Sequence, residues 1–138
     1  MRACVNVKFI TKNIMKKVIA TPDAPKAVGP YSQAIEVNGT LYISGQIPVN
    51  PADGQVQTEI TAAAHQSLKN IGAILKEAGM TYDNVVKTTV LLADIADFKA
   101  VNEVYAEYFT GEKPARACYQ AAALPLGVKV EIEAIAVK

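Results

Sequence analysis

Val128-Lys129-Val130-Glu131-Ile132-Glu133-Ala134-Ile135-Ala136-Val137 alternates in a way that decides how the fold is built. Successive side chains of a strand point to opposite faces, so Val128, Val130, Ile132, Ala134 and Ala136 share one face. Lys129, Glu131, Glu133, Ile135 and Val137 share the other. The first set is uniformly apolar and suits packing beneath helices. The second begins charged and ends apolar, an odd mixture for a solvated face. It suggests burial against another subunit, with ionisable groups lining a cleft there.

The rest of the chain has to supply the helices and the neighbouring strands. Thr58 to Ala78 supplies a helix, because Ile60, Ala64, Leu68, Ile71, Leu75 and Ala78 follow at steps of three or four. Thr58 is placed to cap it, Glu59 suits its positive end and Gly79 stops it. Gly72 lies inside, where it costs about 1 kcal/mol relative to Ala, and close packing against the sheet is the expected reason. A second helix carries the stripe Phe98, Val101, Tyr105 and Phe109, with Asp94 and Asp97 as capping carboxylates and Gly111 and Pro114 beyond its end. Strands are expected over Met15–Ala20, Val85–Leu92, Arg116–Ala121 and Val128–Val137. Another pair, Ala34–Val37 and Leu41–Ser44, flanks Asn38-Gly39, the preferred dipeptide of a type I′ hairpin turn. Pro48, Asn50, Pro51, Asp53 and Gly54 mark a surface loop. The order is β-β-β-α-β-α-β-β, an α+β domain whose two helices cover one face of a six-stranded sheet.

Length and composition narrow the function classes. A chain of 138 residues holds one domain with a real core. The net charge of +1 gives no global field for nucleic acid or an anionic membrane. The apolar runs fall far short of the roughly 20 residues that span a bilayer, and Lys8 interrupts the N-terminal run before it reaches signal-peptide length. The cytosol is the expected compartment. Cys4 and Cys118 form no closely spaced pair, and reduced thiols are expected. His65 is the sole histidine, so neither a metal cluster nor a Ser-His or Cys-His pair is favoured. Residues 1–14 show no clear period and read as an extension outside a single domain at 15–138.

Several segments then stand in order: Gly29-Pro30-Tyr31-Ser32-Gln33, Ser44-Gly45-Gln46, Asn102-Glu103-Val104-Tyr105, Pro114-Ala115-Arg116-Ala117-Cys118 and Val130–Val137. Together they resemble the RidA (YjgF-type) family over essentially all of 15–138. Leu126 departs from the family's common polar residue, often Lys, at a loop position that is not expected to affect the chemistry. The resemblance implies a chorismate-mutase-like fold and a homotrimer with active sites in inter-subunit clefts. It implies hydrolysis of 2-iminopropanoate and 2-iminobutanoate, products of pyridoxal-phosphate-dependent dehydratases, to 2-keto acids and ammonia, without a cofactor.

The residues suit that reaction. A guanidinium holds a carboxylate through two parallel N–H bonds, and Arg116 matches the family's anchor. The plainer reading of an Arg is a surface ion pair. A carboxylate in reach of water can deprotonate it, and Glu131 matches that position, with Glu133 on the same face as its rival. Tyr31 resembles an aromatic lid, or else packs in the core. Ser44 offers a hydroxyl donor, or else caps a strand end. Gly45 presents backbone N–H unobstructed, and Cys118 contributes backbone and small volume in preference to its sulfur. Asn102 and Tyr105 read as structural and interface groups. Two other classes compete: a 2-keto-acid-binding regulatory trimer, which needs Arg116 and not Glu131, and an RNA-directed translation inhibitor or ribonuclease, against which the neutral charge argues.

Overall fold

The computed structural model describes residues 15–138; the reading of 1–14 as an extension lies outside them. Six strands and two helices follow one another in the anticipated order. They are β1 (Lys17–Ile19), β2 (Ala34–Val37), β3 (Thr40–Gln46), α1 (Ile60–Glu77), β4 (Val85–Leu92), α2 (Phe98–Tyr108), β5 (Ala115–Gln120) and β6 (Val130–Val137). Short 3-10 turns lie at Tyr82–Asn84, Ile95–Asp97 and Pro125–Gly127.

The sheet order is β1-β2-β3-β6-β4-β5, with β4 and β5 parallel and every other pair antiparallel. Strand β6 is thus inserted between β3 and β4, which α1 connects, and it becomes the centre of the sheet. That position explains its alternation. Val130, Ile132, Ala134 and Ala136 are buried beneath α1 with Leu68, Ile71, Ile74 and Leu75. Each large aliphatic side chain so buried contributes about 1.5–3 kcal/mol relative to exposure.

Local chemistry sets the boundaries. Asn38 and Gly39 have φ of 50° and 80°, the positive values that a type I′ turn demands. At the end of α1, Gly79 (φ 73°) lets its N–H reach Lys76 O at 3.0 Å while the Met80 N–H reaches Leu75 O at 2.8 Å, a Schellman closure.

Some expectations need correction. The α1 cap is Glu59, not Thr58: its two carboxylate oxygens accept from the Thr61 and Ala62 N–H groups at 3.0 and 2.9 Å. Asp94 caps the 3-10 turn through the Ala96 N–H, and Asp97 makes no side-chain cap at all. Phe98 is exposed, and Val104 takes its place in the buried stripe of α2. Gly72 packs against Tyr82 and not against the sheet. A Cβ there would lie 2.8 Å from Tyr82 Cζ, because the Tyr82 hydroxyl reaches over the helix to donate to Leu68 O at 2.7 Å.

Candidate active site

Glu131 stands on the face of β6 that the helices leave open, opposite Leu91 of β4. On its other side β3 bulges: Ile43 pairs with Ala134 and Gln46 with Ile132, so Ser44 and Gly45 share the space of one residue. The bulge brings the Gly45 backbone against the Glu131 carboxyl. A Cβ at position 45 would lie 2.9 Å from Glu131 Cδ, so only glycine leaves the carboxyl room. Burial pushes the Glu131 pKa above the usual carboxylate range, and Glu133, two residues along the same face, pushes it further. A carboxylate so raised is a better base at neutral pH than a solvated one.

The same bulge ties down the segment that carries Tyr31. The Ser44 N–H donates to Gln33 O at 2.9 Å, and its hydroxyl donates to Ser32 O at 2.6 Å. A hydroxyl has one hydrogen, and here it is committed to the backbone. Ser44 therefore fastens a strand end and offers only lone pairs outward, not the donor expected from the sequence. Gln33, buried, accepts from the Thr21 N–H and donates to Thr21 O, Ala24 O and Pro25 O, organising the loop that precedes Tyr31. Tyr31 itself is 52% exposed, which removes the core-packing reading. Its ring lines two adjoining cavities, about 640 Å³ and about 270 Å³, the second of which also reaches Gly45.

Arg116 lies elsewhere. In the parallel β4–β5 pair it sits opposite Thr88, which is buried on the helix side and shares a 2.7 Å hydrogen bond with the Tyr105 hydroxyl. The guanidinium rests over the rings of Tyr105 and Phe98, 4.7 and 5.5 Å from their centres. Among the described residues no carboxylate lies within ion-pair distance of it. The surface-ion-pair reading therefore fails: Arg116 is a half-buried cation, flattened on aromatic rings, with its N–H fork open to an anion. Asn102 and Lys113 line the same cavity, about 430 Å³. Cys118 follows on the same face, paired with Val90. Burial pushes its thiol pKa up while Arg116 pulls it down, so it lacks the depressed pKa of an activated nucleophile.

Arg116 and Cys118 thus occupy the helix side of the sheet at its β5 edge. Glu131, Gly45 and Tyr31 belong to the open side and to the loop end of β3, and β4 runs between Arg116 and Glu131. One chain does not bring the two groups together. The roles of Tyr105 and Phe98 as the platform for Arg116 were missed in the sequence, although Phe98 and Tyr105 stand seven apart on one helical face. His65 lines none of these cavities. Its Nδ1 is 2.8 Å from the Tyr108 hydroxyl and its Nε2 is 3.6 Å from Glu107, bracing α1 against α2. Among the described residues no three His, Cys, Asp or Glu cluster as metal ligands would, and no helix is long and apolar enough to cross a membrane.

Residues 21–138 match the family described as Endoribonuclease L-PSP. The chain belongs to this family. It is 59% identical over 127 residues to a mouse protein named 2-iminobutanoate/2-iminopropanoate deaminase, covering 91% of this chain and 94% of that one. A crystal structure of a Yersinia pestis protein of the conserved Rid family superposes with TM-score 0.88 at 50% identity, over 90% of this chain and all of the other. The E. coli protein TdcF, solved with bound serine, superposes with TM-score 0.86 at 42% identity, over 88% of this chain and 98% of that one. The RidA resemblance and the six-stranded α+β fold expected of it therefore stand.

Proposed function

We propose that this L-PSP family chain is a hydrolytic deaminase of 2-imino acids, built as a homotrimer whose active sites each join two subunits. Glu131, Gly45 and Tyr31 come from one subunit, and Arg116 and Cys118 from its neighbour. Arg116 holds the substrate carboxylate through its two-pronged N–H fork, which fixes the C=N carbon over Glu131. Glu131 takes a proton from water as the water oxygen bonds to that carbon. Glu131 returns that proton to the nitrogen, and the resulting carbinolamine collapses: its hydroxyl proton passes through Glu131 to the nitrogen as the C–N bond breaks and the C=O bond forms, so ammonia leaves and the 2-keto acid remains. The atoms balance: imino acid plus water gives keto acid plus ammonia. Arg116 and Glu131 are the only side chains that these steps use.

The observation that carries this reading is the Glu131 carboxyl, raised in pKa and held against a glycine backbone, on a sheet face the chain leaves uncovered. Identity with named deaminases supports the substrate class. The uncovered sheet face and a cation at the sheet's β5 edge support the shared site, since closed cyclic symmetry repeats one contact between unlike patches of neighbouring copies. The substrates are 2-iminopropanoate and 2-iminobutanoate, released in the cytosol by pyridoxal-phosphate-dependent dehydratases. Although the family carries a ribonuclease name, a net charge of +1 supplies little of the field that holds a phosphate backbone.

Coupling the purified protein to a serine or threonine dehydratase and following keto-acid release tests the reading. Release should accelerate in proportion to added protein. A rate that stays at the spontaneous value would refute it.

A further inference from the structure

The geometry points to Leu126 as a specificity-determining residue that gives this site a subsite for extended apolar side chains of 2-imino acids, an inference that rests on the deaminase reading above. The turn Pro125–Gly127 holds Leu126 at φ 56° and ψ 15°, a left-handed conformation that a leucine seldom adopts. Leu126 is also 77% exposed, so its side chain adds almost nothing to the core. Nor does the turn need it, because the Gly127 N–H closes on Leu124 O at 3.1 Å and the Val128 N–H on Pro125 O at 3.2 Å. A glycine or asparagine would serve the backbone better, and the chain does place glycine next door, where φ is 66°. Two features that work against folding therefore coincide at one residue, as they do where a side chain is kept for a ligand.

The cavity at that residue supplies the ligand's place. Leu126 lines the space of about 270 Å³ together with Tyr31 and Gly45, two residues of the proposed site. Val28, Val49 and Pro51 add apolar wall, with Lys26 and Asn50 at the same cavity. Gly45 also abuts Glu131, so one residue borders both this space and the proposed base. With the carboxylate held at Arg116 and the carbon at Glu131, the imine nitrogen and the side chain remain, and the cavity takes the apolar one, the side chain. A methyl group leaves most of that space unfilled, and an isobutyl group fills more of it. Apolar contact of this kind discriminates by about tenfold per group gained or lost.

The experiment compares the unsubstituted protein with Leu126→Asn, which keeps the left-handed turn and removes the apolar wall, and with Leu126→Met, which restores it. Imines are generated in situ from alanine and from leucine by an amino-acid oxidase, and keto-acid formation gives kcat and KM for each. In Leu126→Asn the KM for the leucine-derived imine should rise about tenfold, while both constants for 2-iminopropanoate stay within about twofold. Leu126→Met should recover the leucine-derived value. Equal change for both substrates, or none for either, overturns the subsite. So does loss of the assembled mass in Leu126→Asn, which would make the side chain a subunit contact. If the unsubstituted protein hydrolyses neither imine, the deaminase reading fails before the subsite is reached.

Discussion

Beneath the helices, Val130, Ile132, Ala134 and Ala136 of β6 are each no more than 3% exposed, with every neighbour supplied by the same chain. Interleaved with them on the same strand, Glu131 and Ile135 are half-buried, and Glu133 and Val137 are exposed. Tyr42 and Val18 extend that second face at 50% and 58% exposure. One face is finished by folding and carries stability. The other carries the carboxyl, and the register of β5 sends the matching cation to the finished side, at its edge. Arg116 of β5 and Glu131 of β6 therefore lie on opposite faces of one sheet, and the proposed site needs a second copy to bring them to one point.

The largest effect should come from the open face. Glu131→Gln should lower imine turnover by roughly 10²–10⁴-fold, the range for loss of a general base, while pyruvate binding and assembled mass persist. Glu133→Gln, one side-chain step along, should do less. Steady-state hydrolysis beside a pyruvate titration checks both, and a dead Glu133 mutant with a live Glu131 mutant would reverse the assignment.

At the β5 edge, Arg116→Lys keeps the charge and loses the planar fork over Tyr105. It should weaken kcat/KM by roughly 10–100-fold, the equivalent of one charge-assisted hydrogen bond. Near-normal kinetics in this variant would dissolve the carboxylate anchor.

On the finished face the expected response is stability without chemistry. Helix propensity alone says Gly72→Ala should gain about 1 kcal/mol. The Tyr82 hydroxyl occupies the space the methyl needs, so the variant should instead lose about 1–3 kcal/mol, read by urea unfolding, with kcat/KM unchanged in the folded fraction. A stabilised Gly72→Ala would mean that the packing there yields.

The smallest effect contrasts the faces through pH. A carboxyl whose pKa is raised on folding favours the folded state fully below its unfolded pKa, and that contribution is lost as pH rises through the folded value. Melting temperatures of Glu131→Gln and the unsubstituted protein should therefore diverge as pH climbs from acid to neutral, with the Gln variant the more stable at the upper end. A gap that closes with rising pH would mean that the carboxylate is stabilised, not strained, where it lies.

Much of the finished face was legible in the sequence, because its signals are local. Asn38-Gly39 dictated a turn, Gly79 a stop, and the β-branched run Val85–Leu92 a strand with those same ends. The misses share a cause in non-local packing. Whether Thr58 or Glu59 caps α1 depends on where the first helical turn settles, and Phe98 stays outside the core, where Arg116 of β5 lies over its ring. The side on which Arg116 falls follows from the β4–β5 register, which pairs it with Thr88. That register joins residues nearly thirty apart in sequence, and nothing within β5 itself encodes it. Glu131 and Gly45 were both named from motifs, yet their contact depends on a bulge in β3 that only pairing with β6 reveals.

The shared site is the central claim, and mixed trimers test it most directly. Arg116→Ala and Glu131→Gln proteins, each inactive alone, are unfolded together in equal amounts and refolded. If each site takes Arg116 from one subunit and Glu131 from the next, random assembly gives about one site in four with both native residues. The mixture should then recover about a quarter of the unsubstituted activity. Activity that stays at the level of the separate mutants, with mixed trimers demonstrated by native mass spectrometry, would contradict a site divided between two chains.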